Sequence, residues 1–364
     1  MDKMKRYLDC YIPTETCNFK CHYCYIAQHN KFNNKIVKFN HTPQFIAKAL
    51  SKERLGGTCL INLCAGGETL IAEEVIDVVE ALLKEGHYVM IVTNGSLTKR
   101  FEKISKFPKE LLKHLFFKFS FHYLELVRLK MIDRFFENVK MMRDAGASFT
   151  IEITPSDELE PYIDEIKTIM TEKMGALPHI TIGRKDSEDI PPLTNHKFEE
   201  YLKIWQVFES DLIDFKKDIF GKKRNEFCYA GEWTGYLNLV TGDLRQCYCG
   251  MKIDNIYKNI EKPIKFLPIG CNCTQPHCYN GHSFLSFGDI PELNTPTYDK
   301  LRNRTQSDGA QWLQPEMKAF MQSKLIESNK EYSEKEKQKI NRKNLKYVRN
   351  EKIKQKIKDI VKGK

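Results

Sequence analysis

The sequence predicts an α/β fold: a partial (β/α)6 barrel, an open relative of the eight-unit TIM-like barrel, with a small cysteine-rich C-terminal domain and a basic helical tail. Three observations carry this reading. Apolar strand-like runs alternate with longer helical patterns over the first two-thirds of the chain, as in a parallel α/β sheet. Turn residues and cysteines replace that pattern between 228 and 282. Finally, the charge is uneven: residues 321–364 hold 15 Lys/Arg against 6 Asp/Glu, and the 320 residues before them are nearly balanced. The expected divisions are 1–220, 221–290 and 291–364.

Strands are expected at Arg6–Ile12, Thr58–Leu63, Tyr88–Thr93, Leu115–His122, Ser148–Thr154 and His179–Gly183. Each is a short run rich in β-branched and aromatic residues. Helices are expected at 43–53, 70–85, 100–113, 126–145, 159–174 and 196–219. Thr42 is placed to cap the first, with Pro43 at its first helical position. Gly175 is placed to end the fifth in a left-handed conformation. The 228–282 segment is expected to bury little apolar surface and to need a metal centre to fold.

No run of about 18 apolar residues is present, so no membrane-spanning helix is expected. The N-terminus MDKMKRYLDCYIP lacks the apolar core of a signal peptide and reads as a first strand, which points to the cytoplasm. In that reducing compartment, clustered cysteines indicate metal binding or catalysis rather than disulfides. Of the twelve cysteines, Cys17, Cys21 and Cys24 form one group; Cys228, Cys247, Cys249, Cys271, Cys273 and Cys278 form another.

Cys17, Cys21 and Cys24 make a C-x₃-C-x₂-C arrangement in the loop after the first strand. Three thiolates can hold three corners of a [4Fe–4S] cluster and leave one iron open to a co-substrate. Zinc completed by His22 or His29 is the competing reading. Ala65-Gly66-Gly67-Glu68 follows the second strand, where glycines allow close backbone approach to a ligand and the carboxylate would pair with an ammonium. Asn94 ends the third strand, Ser120 and His122 the fourth and Glu152 the fifth, and Arg184 follows the sixth. In barrel-like folds these C-terminal strand ends carry the chemistry.

These motifs resemble the radical S-adenosylmethionine (SAM) superfamily over about residues 5–190. The resemblance implies that Cys17, Cys21 and Cys24 bind a [4Fe–4S] cluster whose open iron is chelated by SAM. Reductive cleavage then gives a 5′-deoxyadenosyl radical that abstracts a substrate hydrogen atom. It further implies that Tyr23 packs near the adenine and that Gly66, Gly67 and Glu68 contact the methionine amino group. Ser120 falls where the family contacts the ribose or the methionine carboxylate; Asn94, His122, Glu152 and Arg184 are further cofactor-site candidates. Thr69 stands where many relatives have proline.

Cys228-x₁₃-Gly242-x₄-Cys247 resembles the first half of the SPASM and twitch extensions of that superfamily, which carry auxiliary iron–sulfur clusters. The later spacing departs from SPASM, so one auxiliary [4Fe–4S] cluster is expected. Cys228, Cys247, Cys273 and Cys278 are its preferred ligands, with Cys271 and Cys249 as rivals. A spare thiol, Cys249 or Cys64, could return a hydrogen atom to a substrate radical, as an epimerase requires.

The resemblance implies an oxidoreductase- or isomerase-type enzyme with an external electron donor such as flavodoxin or ferredoxin. Its substrate would be a peptide, oxidised, crosslinked or epimerised, or alternatively a carbohydrate or other small molecule. The chain starts at the first strand, so no leader-peptide-binding domain is expected ahead of it. Leu345, Val348, Ile353, Ile357, Ile360 and Val361 recur at near-helical spacing in the basic tail, which could contact a membrane surface or nucleic acid. A zinc-stabilised nucleic-acid-binding protein and an inactive scaffold docking through 321–364 are the rivals of other classes.

Overall fold

The computed structural model describes residues 2–278 and 280–362, with side chains described through Asn350 and at Ile353. The strands are β1 (Arg6–Ile12), β2 (Cys59–Ala65), β3 (Tyr88–Thr93), β4 (Leu115–Ser120), β5 (Ser148–Ile153), β6 (His179–Ile180), β7 (Thr234–Asn238), β8 (Asp243–Arg245) and β9 (Lys252–Asn255). They form one sheet in the order β6-β5-β4-β3-β2-β1-β7-β8-β9. Pairing is parallel from β6 through β1 to β7 and antiparallel from β7 to β9. The first six strands and their helices are the partial barrel that the sequence predicts.

Side-chain alternation divides the sheet into two faces. On the outer face Leu8, Cys10 and Ile12, then Ile61, Leu63, Val89, Ile91, Phe117, Phe119, Phe149 and Ile151, are buried with the helices. On the inner face Tyr7, Leu60, Tyr88, Met90 and Phe116 pack instead against Phe284, Phe287, Tyr298, Leu313, Met317 and Phe320. The C-terminal third thus fills the lower inside of the barrel. Tyr88 and Phe320 stack there with centroids 3.7 Å apart and planes 7° from parallel.

Several long helices expected from periodicity are pairs. The first divides into Pro43–Ala49 and Lys52–Leu55, because Ser51 caps the second piece by accepting from the Arg54 amide. Thr42 and Pro43 begin it as expected. The 100–113 stretch breaks before Pro108, and 126–145 becomes Tyr123–Arg128 and Ile132–Ala145 around Lys130 at φ 56°. The 196–219 stretch breaks at Glu209, φ 50°. The others begin as 3-10 turns at Thr69–Ile71 and Asp157–Tyr162. Gly175 ends its helix at φ 65°.

The cysteine-rich region differs more. Rather than burying little apolar surface, it places Phe227, Tyr229, Trp233, Leu237, Leu239 and Leu244 in the core, because β7 continues the barrel sheet beside β1. The tail is one helix, Glu334–Lys362. Its first half docks through Asn344, buried and donating to the Pro268 and Ile269 carbonyls, while Leu345 and Ile353 are exposed. Ile340 also packs against the inner core; the side chains of Ile357, Ile360 and Val361 lie outside the described residues. No helix among the described residues is long and apolar enough to cross a membrane.

Phe320→Ala tests whether the C-terminal third is integral. Removing this buried ring should cost about 3–5 kcal/mol, read as a lowered urea midpoint of the full chain.

Candidate active site

The loop after β1 carries Cys17, Cys21 and Cys24 over the C-terminal strand ends. It is fastened on several sides. Thr16 donates through Oγ1 to the Lys35 carbonyl at 2.8 Å, and the Lys20 amide donates to Glu125 at 2.6 Å. Glu125 is itself held by Arg128 at 2.8 Å. Burial and the neighbouring thiols push Cys17 up to about 11 and Cys21 higher still. Such a group needs a bound cation to carry three thiolates.

The GGE turn lies directly against this loop. The amides of Gly66, Gly67 and Glu68 donate to the carbonyls of Ile12, Thr14 and Thr16 at 3.2, 2.5 and 3.0 Å. A Cβ on Gly66 would stand 2.6 Å from the Thr14 carbonyl oxygen, and one on Gly67 2.0 Å from that of Thr16. Only glycine allows this approach. Glu68 is held by the chain around it. Buried, it accepts from Thr93 Oγ1 at 2.7 Å and from the Leu70 and Asn94 amides at 2.9 and 2.8 Å. These bonds tie the turn to the end of β3.

Asn94 donates to Asn18 Oδ1 at 2.9 Å and reaches Cys17 Sγ at 3.9 Å, while Ser96 Oγ joins Asn94 to Asn18. The hydroxyl of Tyr23 meets His122 Nδ1 at 2.5 Å, and burial lowers that imidazole to about 4. Its neutral ring can therefore accept from Tyr23. Ser120 ends β4 opposite Glu152. Glu152 is ion-paired: Lys118 Nζ lies 3.1 Å from one oxygen and Arg302 Nη1 engages the other. Arg184 lines a small cavity with Lys216, His277 and Cys278. Cys64 points to the same interior, where burial raises its thiol to about 12.

The second group also gathers. Cys228 bridges Gly270 through two backbone hydrogen bonds. Cys249 contacts Cys247 and Cys273, and the contact with Cys247 pushes its thiol up to about 12. Cys278 neighbours Cys273, and it and Cys273 neighbour Cys228. Cys271, the rival of Cys249 as a ligand, is exposed on the helical tail's side, where Asn341 Nδ2 approaches its sulfur at 3.4 Å. The chain folds back between 249 and 273, bringing Cys249 inward.

Tetrahedral zinc holds sulfurs about 3.8 Å apart. Among the described residues, neither cysteine group brings three sulfurs within 4.8 Å of one another; the group that does bring three donors together is Asp157, Glu160 and His196. His22 and His29, the ligands a zinc reading needs, pair with Glu158 and Asp186 at 2.8 Å each. Wider-set thiols fit an iron–sulfur cluster better than a single ion.

Residues 11–160 match the family model described as Radical SAM superfamily. That match makes this stretch of the chain similar to the radical SAM superfamily. In overall fold it is similar to the solved structure of polyhistidine-tagged anSMEcpe with bound AdoMet, at TM-score 0.50 and 16% identity over 71% of this chain and 77% of that one. SuiB of Streptococcus suis aligns at TM-score 0.47 and 13% identity, covering 71% of this chain and 64% of SuiB, so the chain spans under two-thirds of that protein. Methylornithine synthase PylB aligns at TM-score 0.36 and 15% identity, over 56% of this chain and 63% of that one. No curated protein matches the sequence.

Residues that sequence reading missed include Asn18, Ser96, Glu125, Lys118 and Arg302. Asn18, lying between two of the cysteines, was the most discoverable.

Gly67→Ala should cost about 1–3 kcal/mol by overpacking against a backbone carbonyl. The expected outcome is a folded protein by circular dichroism whose loop thiols no longer retain iron, read by iron content after reconstitution.

Proposed function

We propose that this protein is a radical SAM enzyme that generates a 5′-deoxyadenosyl radical and abstracts a hydrogen atom from a peptide. The observation that carries the reading is the backbone zipper of Gly66-Gly67-Glu68 against residues 12–16, directly beside three wide-set thiols. Cys17, Cys21 and Cys24 would hold a [4Fe–4S] cluster, which when bound supplies the electron for reductive cleavage of SAM. Asn94 and Asn18 position Cys17, Glu125 fixes the loop at Lys20, and the Tyr23–His122 pair closes the side beneath it. The buried aromatic and aliphatic floor of the barrel excludes water from below. A peptide substrate is our reading of the Cys228-x₁₃-Gly242-x₄-Cys247 spacing, which resembles the start of the SPASM and twitch extensions.

Cys228, Cys247, Cys249, Cys273 and Cys278 offer five thiols for one auxiliary cluster, leaving one free to donate a hydrogen atom. Their mutual contacts support this assignment over one that includes Cys271.

Anaerobic reconstitution with iron and sulfide, followed by SAM and a reductant, tests the reading. Two clusters correspond to about eight irons per chain, and combined Cys17→Ala, Cys21→Ala and Cys24→Ala should leave about four and abolish 5′-deoxyadenosine. Unchanged iron and turnover in that variant would sink the reading. Separately, Cys271→Ser should leave the iron content of the full chain unaltered, whereas loss of about four irons would return Cys271 to the ligand set.

A further inference from the structure

The small cavity beyond β6 has an unusual charge balance. Lys216, on the helix Asp211–Ile219, is 8% exposed and donates from Nζ to Thr181 Oγ1 at 2.5 Å. Among the described residues no carboxylate lies within ion-pair distance of it. The neighbouring charged groups are cations, Arg184 and Lys118, and together with burial they push the Lys216 ammonium toward its neutral form.

The nearest acids are already engaged. Glu152 serves Lys118 and Arg302. Asp9 accepts from Asn62 at 2.9 Å, from Asn280 at 3.2 Å and from the Tyr248 hydroxyl. Lys216 and Arg184 line one cavity, and an anion bound there would offset both their mutual repulsion and the desolvation of the lysine.

We infer that the cavity lined by Lys216, Arg184 and His277 binds a carboxylate of the substrate. This rests on the reading that substrate enters the barrel at the C-terminal strand ends, where the cavity opens beside Cys278. A carboxylate suits a narrow space walled by Ile182, Ile219 and Phe220 and lined by the Lys216 amine and the Arg184 guanidinium. A phosphate, with nearly two charges and three acceptor oxygens, calls for more donors. Binding would fix one end of the substrate and orient its reacting C–H bond.

Two matched probe pairs test this by calorimetry on the full chain. The first is N-acetyl-L-glutamate α-methylamide against the corresponding glutamine compound. The second is N-acetyl-L-alanine against its methylamide. The expected result is a preference of about tenfold or more for the acid in one pair. The first pair would identify an acidic side chain and the second a peptide C-terminus.

Lys216→Met should erase the preference while keeping or raising the melting temperature, whereas a purely structural lysine would lower it. Lys216→Gln keeps a donor to Thr181 without charge and should lose the preference too. Equal binding of acid and amide in both pairs by the wild type overturns the inference whatever the variants do, as does tighter binding of inorganic phosphate. A loss of SAM cleavage in Lys216→Met with probe binding unchanged would assign the lysine to SAM's own carboxylate and also overturn it. Acid preference in a wild type that forms no 5′-deoxyadenosine would instead retain the anion site and count against the radical reading.

Discussion

Strand β1 is the seam on which both halves of the molecule depend. It is paired on both edges, to β2 on one side and β7 on the other. Past its end, the chain from Ile12 to Thr16 remains in backbone contact with Gly66, Gly67 and Glu68. One continuous segment therefore sets the height of the cysteine loop, the position of the GGE turn and the attachment of the cysteine-rich region. A parallel strand in this position must be apolar on its outer face, and Leu8, Cys10 and Ile12 satisfy that. The inner alternates Tyr7 and Asp9 are then released to serve the floor and the polar interior.

That interior is layered by chemistry. Aromatic and aliphatic side chains near the strand N-termini meet the C-terminal third, and charged groups appear only toward the opposite end. Arg302 bridges the layers: it is fully buried, carries the segment after Tyr298 into the barrel and finds its counter-ion in Glu152. Removing one partner of such a pair strands a charge in low dielectric, which makes the contact a strict one even where its net stabilisation is small. The same desolvation makes the region around Lys216 selective, because a site poor in anions discriminates against neutral and cationic ligands.

Much of this was legible in the sequence. Strand alternation located all six barrel strands within a few residues, since it reflects two chemically distinct faces. Helix lengths were overestimated because apolar periodicity survives a break; the left-handed residues Lys130 and Glu209 interrupt hydrogen bonding without disturbing the pattern. The loop cysteines and the glycines were readable because their spacing is local. The backbone partners of Glu68 were not legible, because a carboxylate after two glycines looks the same whether or not it accepts from Leu70 and Asn94. Arg302 and Glu152 are 150 positions apart, and nothing local announces their pairing. Lys216 did carry a signal: it falls on the stripe of Leu212, Phe215 and Ile219, where a charged residue is out of place.

Cys249 and Cys271 show where spacing stops being informative. Within a single tight loop, three or four residues fix how far apart two sulfurs can be, so Cys17, Cys21 and Cys24 could be grouped directly. Between 249 and 271 the chain runs through β9 and back, and the distance between thiols depends on tertiary packing. Here that packing comes from Asn341 and Asn344, on a tail whose composition reads as solvated. Asn341 accepts from the Cys271 amide and approaches its sulfur, while Asn344 caps the Pro268 and Ile269 carbonyls just before it. The basic helix thus positions the last turn of the cysteine-rich region, and the composition of that second thiol group is decided from outside it.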